Sequence, residues 1–327
     1  MARLPHGRVL AAGIAVVLAL AGCGAGGEPA GPPGGGKGLE KSTIKVGALP
    51  IPDPVSLHLA LAKGYFAEEG LTVEPVTITG GAAALPQIES GALDISQTNY
   101  VSTFMAVSRG KKIKLVADMY QAAPGAFTIM VPKDSPITTV ADLKGRTVLV
   151  NNLRNIATLA VATRLRAAGL SETDVRFAEK PFPEMGNAIA AGQADAGWIT
   201  EPFITANKGL GFRTLADTMT GPTAELPIAG WMATDEWTRK HPRTLAAFQR
   251  AIAKAQRLAS SDRKEIEAIL PTYTKIDART AAAITLGTYP SRLDAARLKK
   301  VADLMLEYKY LTSPIDVQSV IAAPPGG

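Results

Sequence analysis

The pattern Ile88-x-x-Gly91-x-x-Asp94 returns as Ile189-x-x-Gly192-x-x-Asp195, displaced by 101 residues at every matched position. Such a repeat directs the chain toward folds built from two similar lobes. In each copy an amphipathic helix stops at glycine, which takes the left-handed conformation a helix C-terminus needs, and a strand follows after a two-residue turn. The second copy runs on through Ala196-Gly197-Trp198-Ile199-Thr200-Glu201-Pro202-Phe203, a short apolar strand ending in a polar and aromatic cluster. In open α/β sheets, ligands gather beyond the carboxyl ends of the strands, where loop side chains and backbone groups are free. Trp198, Thr200 and Glu201 fall there.

With 327 residues, 46% of them hydrophobic, the chain can bury one large core or two smaller ones. The net charge of +6 includes Arg3 and Arg8, in a segment expected to be removed. The remaining excess is scattered, so nucleic acid is not an expected partner. Residues 1–23 join a basic start to an apolar run from Val9 to Ala21 and small residues before Cys23, the pattern of a secretion signal. That run is shorter than the roughly 20 residues a helix needs to cross a bilayer. Leu20-Ala21-Gly22-Cys23 looks like a bacterial lipobox, with Cys23 as the lipidation site. Because Cys23 is the only cysteine, no disulfide within the chain is possible. Residues 24–42 are rich in Gly and Pro and read as a flexible tether, and residues 323–327 are expected to be disordered.

Along the chain, Ile44-Lys45-Val46-Gly47 starts a first lobe as a strand and leads into a proline-rich loop carrying Pro52 and Asp53. Gly80-Gly81 precedes a helix, where free backbone N–H groups can meet an anion or simply shape a turn. Gln97, Thr98 and Asn99 stand at a strand's carboxyl end and a helix's amino end together, suited to capping and to ligand contact alike. Thr128-Ile129-Met130-Val131 reads as a buried strand that closes the first lobe before a boundary near Pro136. In the second lobe, Asn151, Asn152 and Arg154 occupy the loop that corresponds to the proline-rich one. Asn carries donors and acceptors, and Arg can grip an oxyanion with two parallel bonds or stand solvated at a helix start. The chain is expected to return to the first lobe along Ile228-Ala229-Gly230-Trp231, and the remainder to be mostly helical. Trp198 and Trp231 are each open to a core role as well as a ligand contact.

Several chemistries find no machinery here. His58 and His241 have no cysteine or carboxylate partner at metal-ligand spacing, so no metal site is expected. There is no Gly-x-Ser-x-Gly elbow and no Gly-x-x-x-x-Gly-Lys loop. Neither an enzyme nor a cofactor is indicated.

Four segments carry a resemblance: Gly64-Tyr65-Phe66-Ala67-Glu68-Glu69-Gly70-Leu71-Thr72-Val73, Ser90-Gly91-Ala92-Leu93-Asp94-Ile95, Asp142-Leu143-Lys144-Gly145-Arg146-Thr147-Val148, and the stretch from Gly192 to Pro202. In order and spacing they resemble the substrate-binding proteins of nitrate, sulfonate and taurine ABC importers. The resemblance spans roughly residues 43 to 235. It implies an α/β, two-lobed periplasmic-binding-protein-like fold of type II, each lobe a mixed, mostly parallel sheet flanked by helices, with the ligand cleft between them. Lobe 1 would comprise residues 43–135 and 220–322, and lobe 2 residues 136–219. The implied protein is an extracytoplasmic monomer, lipid-anchored to the bacterial cell membrane, that hands a small molecule to an ABC permease and its ATPase subunits. The expected ligand contacts are Pro52, Asp53, Gly81, Gln97, Asn99 and Trp231 from one lobe and Asn151, Asn152, Arg154, Trp198 and Glu201 from the other. Asp53 and Glu201 beside anion donors suit a zwitterion such as an aminosulfonate. A thiamine-precursor pyrimidine or another small heteroaromatic is the alternative ligand. The same fold family includes thiamine-pyrimidine synthases, whose cysteine-rich iron motif this chain lacks.

Overall fold

The computed structural model describes residues 38–323. The signal segment, Cys23, the tether up to residue 37 and residues 324–327 lie outside the described residues. In chain order the strands are β1 (Thr43–Ala48), β2 (Thr72–Thr77), β3 (Ile95–Asn99), β4 (Ile113–Gln121), β5 (Phe127–Pro132), β6 (Thr147–Val150), β7 (Arg176–Glu179), β8 (Ala196–Thr200), β9 (Phe212–Asp217) and β10 (Pro227–Thr234). The helices that matter for the site are α1 (Val55–Ala62), α2 (Gly81–Glu89), α3 (Tyr100–Ser108), α4 (Ile156–Ala167), α5 (Phe182–Ala190), α6 (Phe203–Gly209) and α7 (Pro242–Ser261).

The strands form two sheets of one topology. The first has the order β2-β1-β3-β10-β4 and the second β7-β6-β8-β5-β9. In the first, β1 runs parallel to β2 and β3, and β10 is antiparallel to β3 and β4. In the second, β6 is parallel to β7 and β8, and β5 is antiparallel to β8 and β9. This is the two-lobed α/β architecture expected from the sequence, each lobe a mixed sheet flanked by helices.

The repeat has a mechanical role that the structure makes explicit. Gly91 and Gly192, at φ 76° and 73°, end the turns after α2 and α5 in a conformation that favours glycine. Asp94 then brackets the start of the neighbouring strand: its N–H donates to the Lys45 carbonyl at 3.0 Å, and its Oδ2 accepts from the Lys45 N–H at 2.9 Å. Asp195 repeats this on Thr147, at 3.0 and 2.8 Å. A carboxylate that takes the first orphan donor of a strand edge fixes the register of two parallel strands, which have no hairpin to do so. Asp94 is tied further by the Lys41 ammonium at 2.7 Å and the Trp237 indole N–H at 2.8 Å.

Two expectations are corrected. The strand Phe127–Pro132, expected to close the first lobe, hydrogen-bonds in the second sheet between β8 and β9. The chain therefore leaves the first sheet after Gln121, ahead of the boundary expected near Pro136. A continuous apolar run signals a buried strand but not which sheet buries it. Residues 38–42, expected to belong to the tether, are already held: the Glu40 carboxylate accepts from Arg243 Nε at 2.8 Å and Thr244 N–H at 3.0 Å, and Lys41 binds Asp94. His58 is half-buried and stacks on Tyr273 with ring centroids 3.6 Å apart.

Candidate functional site

The carboxyl ends of β1, β3, β6 and β8 converge with the amino ends of α2, α4 and α5 on one cavity. Its lining includes Asp53, Gly81, Gln97, Asn99, Asn151 and Trp198, six of the residues expected from the sequence. It encloses about 30 Å³, on the order of two or three water-sized groups. A larger hollow of about 610 Å³ lies along α7, but its lining mixes charged side chains with one sheet edge and draws on neither copy of the repeat.

β3 shows why a site forms here. Its five residues, Ile-Ser-Gln-Thr-Asn, are all buried although four are polar, three of them at the strand's end. Burying them is costly unless each finds a partner, and the partners found decide what is left for a ligand. Gln97 Oε1 accepts from the Leu49 backbone N–H at 2.8 Å. Asn99 Oδ1 caps α3 by accepting from Ser102 N–H at 2.8 Å. Asn155 Oδ1 caps α4 at Ala157 N–H, so its Nδ2 must donate, and it does so to Asn151 Oδ1 at 2.9 Å. Backbone N–H groups thus fix the orientation of all these amides. In Gln97, Asn99 and Asn151 the oxygen is engaged, while the amide nitrogen makes no hydrogen bond among the described residues. The lining is a set of free donors.

Aromatic and apolar groups close the other side. The Trp198 ring stacks on Phe127 at 5.0 Å and 13°, with Phe182 at 6.0 Å. Its N–H is consumed by Thr218 Oγ1 at 2.9 Å, so the indole offers surface rather than a donor. Ile156 completes that wall.

Asp53 is the exception among the donors. It is 3% exposed, and its Oδ1 is buried without a hydrogen-bond partner. Removal from water pushes its carboxyl up to about 7, against one opposing hydrogen bond from its own backbone.

The lobes meet at Gly80. A Cβ there would fall 1.9 Å from Asn152 Oδ1 and 3.3 Å from Asn151 Nδ2. Its φ of 168° is ordinary extended backbone, so space and not conformation reserves the position for glycine. At Gly81 a Cβ would meet the Thr98 Cα at 2.6 Å. Asn152 therefore sits at the lobe contact, beside the lining rather than in it.

Four expected contacts are placed elsewhere. Glu201 is buried, but its carboxylate accepts from Thr205 N–H at 3.1 Å and Thr205 Oγ1 at 2.9 Å, which caps α6; burial raises its carboxyl. Trp231 is fully buried edge-on to Phe248, outside the lining. Arg154 is exposed, with its guanidinium 5.5 Å above the Tyr310 ring. Pro52 turns its carbonyl to the Tyr289 hydroxyl at 3.3 Å and is outside the lining. The sequence reading missed the apolar lining: Leu49, Ile51, Phe127, Ile156, Phe182 and Ile228. Their position at strand ends and helix starts beside the polar candidates was the available signal. Among the described residues no group of three or more His, Cys, Asp and Glu is placed to hold a metal ion.

Comparison with known proteins agrees with this fold. A model of the family described as NMT1/THI5 like matches residues 52–266. The chain is 25% identical over 305 residues to a putative aliphatic sulfonates-binding protein of Escherichia coli, covering 88% of this chain and 94% of that one. It is 25% identical over 276 residues to the riboflavin-binding protein RibY of Chloroflexus aurantiacus, covering 78% and 75%. More distantly, it is 23% identical to a 4-amino-5-hydroxymethyl-2-methylpyrimidine phosphate synthase of Saccharomyces cerevisiae over 66% of each chain. The fold superposes on the alkanesulfonate-binding protein SsuA of Xanthomonas axonopodis pv. citri with a TM-score of 0.71 at 21% identity, covering 86% of this chain and 98% of that one.

Proposed function

The chain belongs to the NMT1/THI5-like family, and from that premise we propose that it is the solute-binding component of an ABC importer for a small sulfonate- or nitrate-type anion. The observation that carries this reading is the lining of Gln97, Asn99 and Asn151, whose amides keep only donors free. An anion supplies the acceptors those donors lack. The unpaired N–H groups at the start of α2, next to Gly81, add a favourable field. The aromatic wall of Trp198, Phe127 and Phe182 suits an organic tail on the same molecule. The similarity to the putative aliphatic sulfonates-binding protein of Escherichia coli supports the class.

A second reading rests on Asp53 and that aromatic wall. A flat heteroaromatic such as a thiamine-precursor pyrimidine would stack on Trp198 and donate to Asp53. The zwitterionic aminosulfonate keeps Asp53 as its only carboxylate partner in the lining, since Glu201 is engaged at α6.

The rest of the reading follows the family. The domain swings as two lobes about crossings at residues 122–126 and 218–226, Cys23 carries the lipid, and ligand passes to a permease at the outer face of the membrane. No step of catalysis is assigned. Thermal unfolding with taurine, alkanesulfonates, nitrate and pyrimidines tests the ligand class. A ligand at 100 times its dissociation constant adds roughly 2.7 kcal/mol, several degrees in midpoint. We expect the shift with alkanesulfonates; a shift confined to pyrimidines favours the second reading, and none in the panel removes both. Loss of palmitate labelling in Cys23→Ser tests the anchor.

A further inference from the structure

We propose that Asp53 sets the charge that this cavity accepts: an anionic ligand binds together with one proton, which comes to rest on the Asp53 carboxyl. The proposal rests on the anion reading above.

Three features of the site lead to it. Asp53 is the only titratable side chain in the lining, and its Oδ1 is buried with no partner. An ionised carboxylate in that position would face an anion across a space of only about 30 Å³, with little water between them to screen the repulsion. Nothing around Asp53 neutralises it. Among the described residues no Lys or Arg pairs with it. The titratable groups that face it are the phenols of Tyr120 on β4, Tyr273 in the helix Pro271–Thr274, and Tyr289 in the loop after the helix Ala278–Ala283. Burial holds all three above their ordinary range, so they stay neutral. His58, on α1 with Asp53's loop, stacks on Tyr273 and is held neutral by burial down to about pH 4. Glu201 and Arg263 reach this cluster only through Tyr120 or Tyr289, with opposite signs.

A carboxyl in these surroundings gains in two ways by taking a proton from solvent water. The repulsion disappears, and the new O–H becomes one more donor in a lining that already offers donors. No bond in the ligand changes; the only transfer is of a proton from water to Asp53. The empty protein holds that proton up to about pH 7. Below that value anion binding needs no uptake; above it each binding event must draw a proton in. Affinity therefore falls as pH rises through 7, by about tenfold per unit.

The test is titration calorimetry of the mature protein with ethanesulfonate and with taurine, from about pH 6 to about pH 9, in buffers of different ionisation heat. For ethanesulfonate we expect a dissociation constant that is flat near pH 6 and rises about tenfold per unit above 7, with close to one proton taken up per ligand at the alkaline end. Asp53→Asn, which presents a fixed donor, should bind with an affinity that no longer changes with pH. The wild-type series decides the matter even where that variant does not fold. Binding of ethanesulfonate that is flat in pH and releases or takes up no proton overturns the proposal alone. Taurine binding that strengthens above pH 7 overturns it too, because Asp53 would then be an ionised partner for the ammonium. No heat and no midpoint shift with any anion at any pH overturns the anion reading as well, a result distinct from pH-flat binding.

Discussion

β3 and β8 are the same element twice, and they end differently. Val46 pairs with Ile95 in the first sheet as Val148 pairs with Ala196 in the second, and Asp94 and Asp195 close the same two-bond bracket. Continue each strand to the cavity and the likeness stops: Gln97 occupies the place that Trp198 takes in the second lobe. One lobe delivers hydrogen-bond donors, the other an aromatic face. The part of the repeat that fixes strand register is shared, and the part that reaches the ligand has diverged. Register depends on backbone geometry common to both sheets, whereas two identical tips would make a cleft able to hold only one kind of group.

The largest expected effect comes from breaking the aromatic tip. Trp198→Ala should cost about 3–5 kcal/mol in urea unfolding, because the ring packs against Phe127 and Phe182 and its N–H satisfies Thr218. A loss under about 1 kcal/mol would mean that the second lobe's tip is not built into its core. Next come the brackets. Asp94→Ala leaves Lys45 N–H, Lys41 and the Trp237 indole without a partner, and should cost about 3 kcal/mol; Asp195→Ala strands Thr147 N–H beside an exposed Arg146, and should cost about 1 kcal/mol. Equal losses would refute the idea that the first lobe leans harder on this residue.

Where the two tips meet, Gly80→Ala should weaken ligand binding by about tenfold, equivalent to about 1.4 kcal/mol, while the unfolding midpoint of the empty protein moves little. Its backbone is unstrained and its only conflict is with Asn152 and Asn151 across the cleft. An unchanged affinity in calorimetry would remove that contact from the closure. The smallest effect belongs to Glu201→Gln. Affinity for taurine should stay within about twofold and stability fall by about 1 kcal/mol, as one cap on α6 weakens. A large loss of taurine binding would return Glu201 to the site.

The sequence made the scaffold legible because the devices that build it are local. A glycine at positive φ and an aspartate three residues later sit within one turn of each other, and a reader of the chain sees them together. The polar tip at Gln97, Thr98 and Asn99 was visible for the same reason, since polar residues at a strand's end are unusual. The errors came from side chains whose partner is set by tertiary packing. Glu201 looks free until Thr205 is seen to take both its oxygens. Trp231 pairs with Gln97 across β10 and β3, on the same face of the sheet, but its ring is buried against Phe248 and stays outside the lining. Arg154 stacks on Tyr310, 156 positions away. The apolar lining went unread because a leucine or phenylalanine at a strand's end carries no signal that separates a cleft wall from a core.

The three tryptophans of this chain give it an optical readout of its own. Trp231 is sealed against Phe248 and Trp237 is fixed by its bond to Asp94. Trp198 alone forms part of the cavity wall. Ligand entry alters the surroundings of one emitter and leaves two as an internal standard, so an unlabelled sample in a fluorimeter can count occupied molecules by the change in a single indole's colour.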